Sequence, residues 1–170
     1  MAYQSPISKL SKYFGKMEGI ALAAFAVGYL LKILHYPGQQ LIIISLSALA
    51  VIYFLGAYVP AQAPEDGDEQ SQPKGFAVLL GETIIPKLLG IGSAVAVIGI
   101  LFTIQHFNGF REMLLIGSST LGVSSIVGLL VSMNNEKARA SLSNLLFRAV
   151  PLMLIGIYLL RIYGISPPVN

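Results

Sequence analysis

Hydrophobic and polar positions in this chain fall into long blocks, with none of the short alternation of a half-buried strand. Five apolar runs stand out: Met17–Tyr36, Gln39–Tyr58, Ile84–Gln105, Phe110–Ser132 and Asn144–Tyr163. Each has roughly the 20 residues a helix needs to cross a bilayer, and little chain lies outside them. The pattern predicts an all-α integral membrane protein of about five transmembrane helices with no soluble domain. Residues 1–16 form a basic arm in which Ile7, Leu10, Tyr13 and Phe14 recur at loosely helical spacing. That spacing fits a short helix lying on a membrane surface, or a disordered arm. The remaining segments are a first hairpin at 17–60, an acidic linker at 61–83, and a second hairpin at 84–132. A loop at 133–143 then leads to a fifth helix with a short tail at 144–170.

The halves on either side of the linker resemble each other. Aligned without gaps, Ala26–Gly38 and Val97–Gly109 match Gly28 with Gly99, Leu30 with Leu101 and Ile33 with Ile104. They also match His35 with His106 and Gly38 with Gly109. The fifth run carries a fragment of the same pattern, YLLRIY at Tyr158–Tyr163 against YLLKIL at Tyr29–Leu34. The organisation expected is two parallel hairpin repeats, related by an axis along the membrane normal, plus one extra helix.

Composition sharpens this. The chain is 55% hydrophobic and 11% charged, where soluble domains carry about 25% charged residues. It has no cysteine, which removes disulfides, thiol nucleophiles and cysteine-held metals. Cations are spread along the chain, so the basic balance reads as topology and not as a nucleic-acid surface. With the N-terminus inside, the inner side holds Lys9, Lys12, Lys16, Lys74, Lys87, Lys137, Arg139 and Arg148. The outer side holds Lys32, Arg111 and Arg161. By the positive-inside rule the N-terminus is cytoplasmic and the C-terminus external. The first apolar run is too long for a signal-peptide core and no small-residue cleavage pattern follows it, so it reads as a retained anchor.

Candidate chemistry gathers at the hairpin turns. Proline disfavours helix at the residue before it, so the first span is expected to end at Tyr36. Pro37 and Gly38 suit a tight turn, with glycine free to take positive φ, and Asn108 and Gly109 suit one by different chemistry. His35 and His106 fall in the last turn of an outgoing helix, where an imidazole can meet free carbonyls and the helix dipole. Lys32 lies one turn deeper. It can snorkel to the interface, or face the bundle interior with a partner, as ionisable residues within spans do. Phe25, Gly28, Tyr29, Lys32, His35 and Tyr36 share one helical face. The partners open to Lys32 are Glu112, a tyrosine hydroxyl, or a free carbonyl of a hairpin turn. Arg161 would be a second inward cation. Haem held between the two histidines is conceivable but would be exposed at the membrane edge, and no cofactor or metal is expected.

LLKILHYPG, the apolar helix after it and the break at AYVP resemble the N-terminal transmembrane hairpin of the gliding-motility protein GldL. That family is a stator-like inner-membrane component of bacteria with type 9 secretion. The resemblance covers residues 17–60 closely and 84–130 faintly. It implies an inner-membrane oligomer that packs around a partner's transmembrane helices and uses the proton-motive force. On the match, Lys32 and His35 correspond to the family's intramembrane lysine and histidine, and Pro37 and Gly38 to its turn. The family's second helix also carries an intramembrane glutamate that pairs with the lysine. Here Gln39–Tyr58 has no Asp, Glu, Lys, Arg or His, and the family's long cytoplasmic tail is absent.

No catalytic triad spacing, phosphate loop or carboxylate pair occurs at membrane depth, so an enzyme is not expected. Small residues crowd the third and fourth runs, from Gly90, Gly92 and Ser93 to Ser125 and Gly128, and suit close helix packing. Two functions remain. One is a non-enzymatic subunit of the bacterial inner membrane that docks a membrane-protein partner or further copies of itself. The other is an ion- or solute-conducting protein with Lys32, His35 and His106 lining an outer vestibule. No central proline or broken helix is expected, which favours the first.

Overall fold

An apolar run in lipid can satisfy its peptide groups only within itself, so it folds as helix. A computed structural model describes residues 6–58, 80–134 and 136–163, and every element in it is helical. They are α1 (Pro6–Ile33), α2 (Gln39–Gly56), a wider π-helical turn at Leu80–Ile84, α3 (Ile85–Gln105), α4 (Phe110–Asn134) and α5 (Glu136–Tyr163). Five stretches within them are long and apolar enough to cross a membrane: Tyr13–Ile33, Gln39–Gly56, Ile85–Gln105, Phe110–Met133 and Leu142–Tyr163. The linker expected at 61–83 lies largely outside the described residues.

Three boundaries differ from the sequence reading. The basic arm is not a separate surface helix, because α1 runs unbroken from Pro6. The loop expected at 133–143 is replaced by helix: α4 ends at Asn134 and α5 begins at Glu136. And α1 stops at Ile33, short of Tyr36. The cause is His35, whose φ of 63° puts it in the left-handed region. Its backbone N–H donates to the Lys32 carbonyl at 3.2 Å, and the Tyr36 N–H donates to the Leu31 carbonyl at 2.9 Å. That pair of bonds is a Schellman motif, which closes a helix on a left-handed residue. The second hairpin repeats it with His106 at φ 57°. There His106 N–H donates to Thr103 and Phe107 N–H to Phe102, at 3.2 and 2.9 Å.

Helix α3 is the hub. It packs on α2, α4 and α5, while α1 packs on α2. In its most apolar stretch 61% of α3 is buried, against 17% for α1 and 11% for α5, so the first and last helices form the outside. Ile42, Leu46 and Leu49 of α2 meet Val97, Ile100 and Leu101 of α3 in one cluster that also takes Ala21 of α1 and Leu114 of α4. A second cluster joins Ile85, Leu89 and Ala96 of α3 to Leu121 of α4 and to Leu142 and Ala149 of α5.

Glycines set how closely these helices approach. A Cβ at Gly117 would stand 2.7 Å from the Ala96 backbone nitrogen, and one at Gly99 2.9 Å from that of Leu114. Gly38 is also needed for space: its φ is −94°, and a Cβ there would collide with the Gly28 carbonyl. Positive φ in the turns falls on the two histidines and Gly109. Buried hydroxyls of Thr103 and Ser45 donate back to Gly99 and Ile42 of their own helices, which satisfies them without a neighbour.

Candidate functional site

Polar side chains meet at both ends of the bundle. At the hairpin-turn end, the Lys32 ammonium donates to the Ile104 carbonyl at 3.1 Å, and Gln39 Nε2 donates to Gln105 Oε1 at 2.6 Å. These contacts put the two hairpin turns side by side. Ile104 is in the last turn of α3, where carbonyls have no intrahelical donor and the helix dipole is negative. Lys32 therefore acts as a charged cap supplied by one hairpin to the other. Of the partners the sequence left open, the carbonyl is the one used. Glu112, exposed in the first turn of α4, does not meet it.

The remaining candidates are dispersed. His35 and His106 are exposed, and each serves its turn through its backbone N–H, where a bond from the imidazole was expected. Tyr29 is 46% exposed, with its ring 6.0 Å from that of Phe25. Together with His35 and Tyr36, both exposed and both beyond the helix, it departs from the inward-facing alternative. Phe25 and Gly28 pack toward the bundle, and Lys32, itself exposed, reaches it through its ammonium. Arg161 is exposed at the last turn of α5 and is not an inward cation. Pro37 and Asn108 are exposed in their turns. Among the described residues, no group of three or more His, Asp or Glu could hold a metal ion.

The opposite end holds an arrangement the sequence reading missed. Glu18 of α1 is only 7% exposed. One carboxylate oxygen accepts from the Tyr53 hydroxyl of α2 at 2.9 Å. The other pairs with the Arg148 guanidinium of α5, also at 2.9 Å. Three helices thus converge on one carboxylate. Glu18 and Arg148 each lie about 8 Å inside the apolar stretches that begin at Tyr13 and Leu142, at 1.5 Å per residue. A signal was present: an acid and a base each stood inside an apolar run, where ionisable residues usually face inward and have a partner.

No family model, curated protein or solved structure matches this chain. Function is read from its own residues. Both carboxylate oxygens of Glu18 are engaged by fixed donors, and Lys32 is engaged by a carbonyl. The two polar centres tie helices together.

Proposed function

We propose that this chain is a non-enzymatic helical-bundle subunit of a bacterial inner membrane, built as two parallel hairpins plus one helix, which docks a transmembrane helix of a partner protein against α1. One observation carries the reading. Glycines in α3 and α4, such as Gly90, Gly92, Gly99 and Gly117, each have neighbours that a Cβ would press against, whereas Gly15 and Gly19 of α1 have nothing within 4 Å. With exposed Ala23 and Ala26 they line the outward face of α1. Glycine inside a helix costs about 1 kcal/mol relative to alanine. In the second hairpin close packing offsets that cost, and at Gly15 and Gly19 no described residue does. Small residues spaced four apart on a spanning helix are how another helix approaches closely in lipid.

The resemblance of residues 17–60 to the GldL hairpin supports the same reading and relates it to gliding motility or type 9 secretion. A motor role has less support. Helix α2 carries no acid, and Glu18, the acid on α1, lies about 21 Å along the helix from Lys32. The conducting alternative is also weaker, since Lys32 is engaged by a carbonyl and both histidines serve backbone turns.

Native mass spectrometry of the gently extracted, affinity-tagged protein tests the proposal. A stoichiometric membrane partner that disappears with Gly19→Leu is expected. A lone monomer or homo-oligomer, with no partner in the wild type, would overturn it.

A further inference from the structure

Helix α5 runs without a break from Glu136 to Tyr163 but carries a proline near its middle. Pro151 lies inside it, against the sequence expectation of no central proline, and removes the bond that its N–H would give to the Phe147 carbonyl. Arg148 sits less than one turn before this proline. Through Glu18 it reaches α1, with which α5 shares no extended packing. On the other flank of α5 lies an open apolar cleft of about 500 Å³ against α4, lined by Leu129, Ser132, Leu146, Phe147, Val150 and Pro151. Between the two flanks run the contacts that seat α5 on the hub, with Leu142 and Ala149 both buried.

We infer that residues 136–150 of α5 form a hinged arm, pivoting at Pro151, which the Glu18–Arg148 ion pair latches toward α1. Release lets the arm roll toward α4 and closes the cleft. The energetics favour such a device in lipid. No hydrophobic effect drives helices together there, so packing and interhelical polar bonds decide how the arm is held. The Glu18 carboxylate is buried and the Arg148 side chain 46% exposed, so the pair adds a directional, charge-assisted bond to the packing of Leu142 and Ala149 that holds the arm. Tyr53 holds the carboxylate at its other oxygen, which keeps Glu18 aimed at Arg148. The inference rests on the membrane reading and is independent of any partner at α1.

The chain has no native cysteine, so spin labels can be placed directly at Lys16→Cys and Asn144→Cys. The inter-label distance is then read by pulsed electron paramagnetic resonance in phospholipid nanodiscs. Wild type is expected to give one narrow distance. Glu18→Gln, which keeps an acceptor for Tyr53, and Arg148→Gln are each expected to add a longer population. The charge-swapped pair Glu18→Arg with Arg148→Glu is expected to restore the narrow one. Adding Pro151→Ala to Glu18→Gln is expected to suppress the longer population by restoring the backbone bond to the Phe147 carbonyl. Labels at Leu115 and Ile157, beyond the pivot, should keep their distance throughout, which separates arm motion from general loosening. An unchanged distance in both single variants overturns the latch. A longer population that survives Pro151→Ala overturns the pivot. Failure of the wild type to enter the bilayer at all would instead overturn the membrane placement.

Discussion

At the scale of single residues, the repeated histidines carry a lesson about backbone. His35 and His106 sit where glycine or asparagine usually closes a helix, and both hold φ near 60°. A left-handed L-residue costs roughly 1–2 kcal/mol, which glycine avoids. His35→Gly is therefore expected to leave thermal stability in detergent unchanged or raised by about 0.5–1 kcal/mol. His35→Val, β-branched and ill suited to positive φ, should lower it by more than that. A large loss with glycine would mean that the imidazole itself makes a needed bond. The sequence showed that these positions repeat, but not that the main chain was the reason. A histidine before or after a helix end looks the same in one dimension, and Pro37 drew the helix boundary too far along.

Elements were more legible than their contacts. The five apolar runs predicted helices whose apolar stretches differ by a few residues at most, because in lipid length and hydropathy alone dictate helix. The join between α4 and α5 was misread, since NNEKARASLS has the polarity of a loop and the helix propensity of its Glu, Lys, Ala and Arg was overlooked. Glu18 escaped notice for a different reason. It stands beside a basic arm, where an acid reads as interfacial, and its two partners come from α2 and α5. Small residues divide the same way: composition located them, and only packing separates the filled from the open. Gly117→Ala should destabilise the bundle by about 1–3 kcal/mol through overpacking against Ala96. Gly19→Ala, meeting nothing, should be neutral or stabilising by about 0.5–1 kcal/mol. Denaturation of both variants in the same mixed micelles checks the contrast. Equal losses would mean that α1 is packed against a neighbour even in the isolated protein.

For the whole molecule, the described residues hold five helices long and apolar enough to cross a membrane; if all five cross it, α1 starts and α5 ends on opposite sides. Both hairpin turns lie at one end of the bundle, with Glu18, Tyr53 and Arg148 at the other. The positive-inside rule predicts that the turns face outward. A single Asn108→Cys is expected to react with a membrane-impermeant maleimide on intact spheroplasts, and Asn144→Cys only after lysis. The reverse pattern would invert the bundle and put Lys32 and the histidines in the cytoplasm.

The three-helix convergence on Glu18 also has a consequence for how the chain is made. Synthesis runs from the N-terminus at about 5–20 residues per second, so Arg148 emerges on the order of ten seconds after Glu18. Throughout that interval Arg148 is not there to pair with the carboxylate. Tyr53 arrives far sooner, 35 residues on, and its hydroxyl can bond a carboxyl in either protonation state. It serves as an escort, holding the acid inside the nascent bundle until the last helix comes. Tyr53→Phe is accordingly expected to reduce the yield of inserted protein more than it weakens the finished fold, as pulse-chase membrane fractionation set beside thermal denaturation would reveal. Equal losses in both would mean that Tyr53 matters only once the fold is complete.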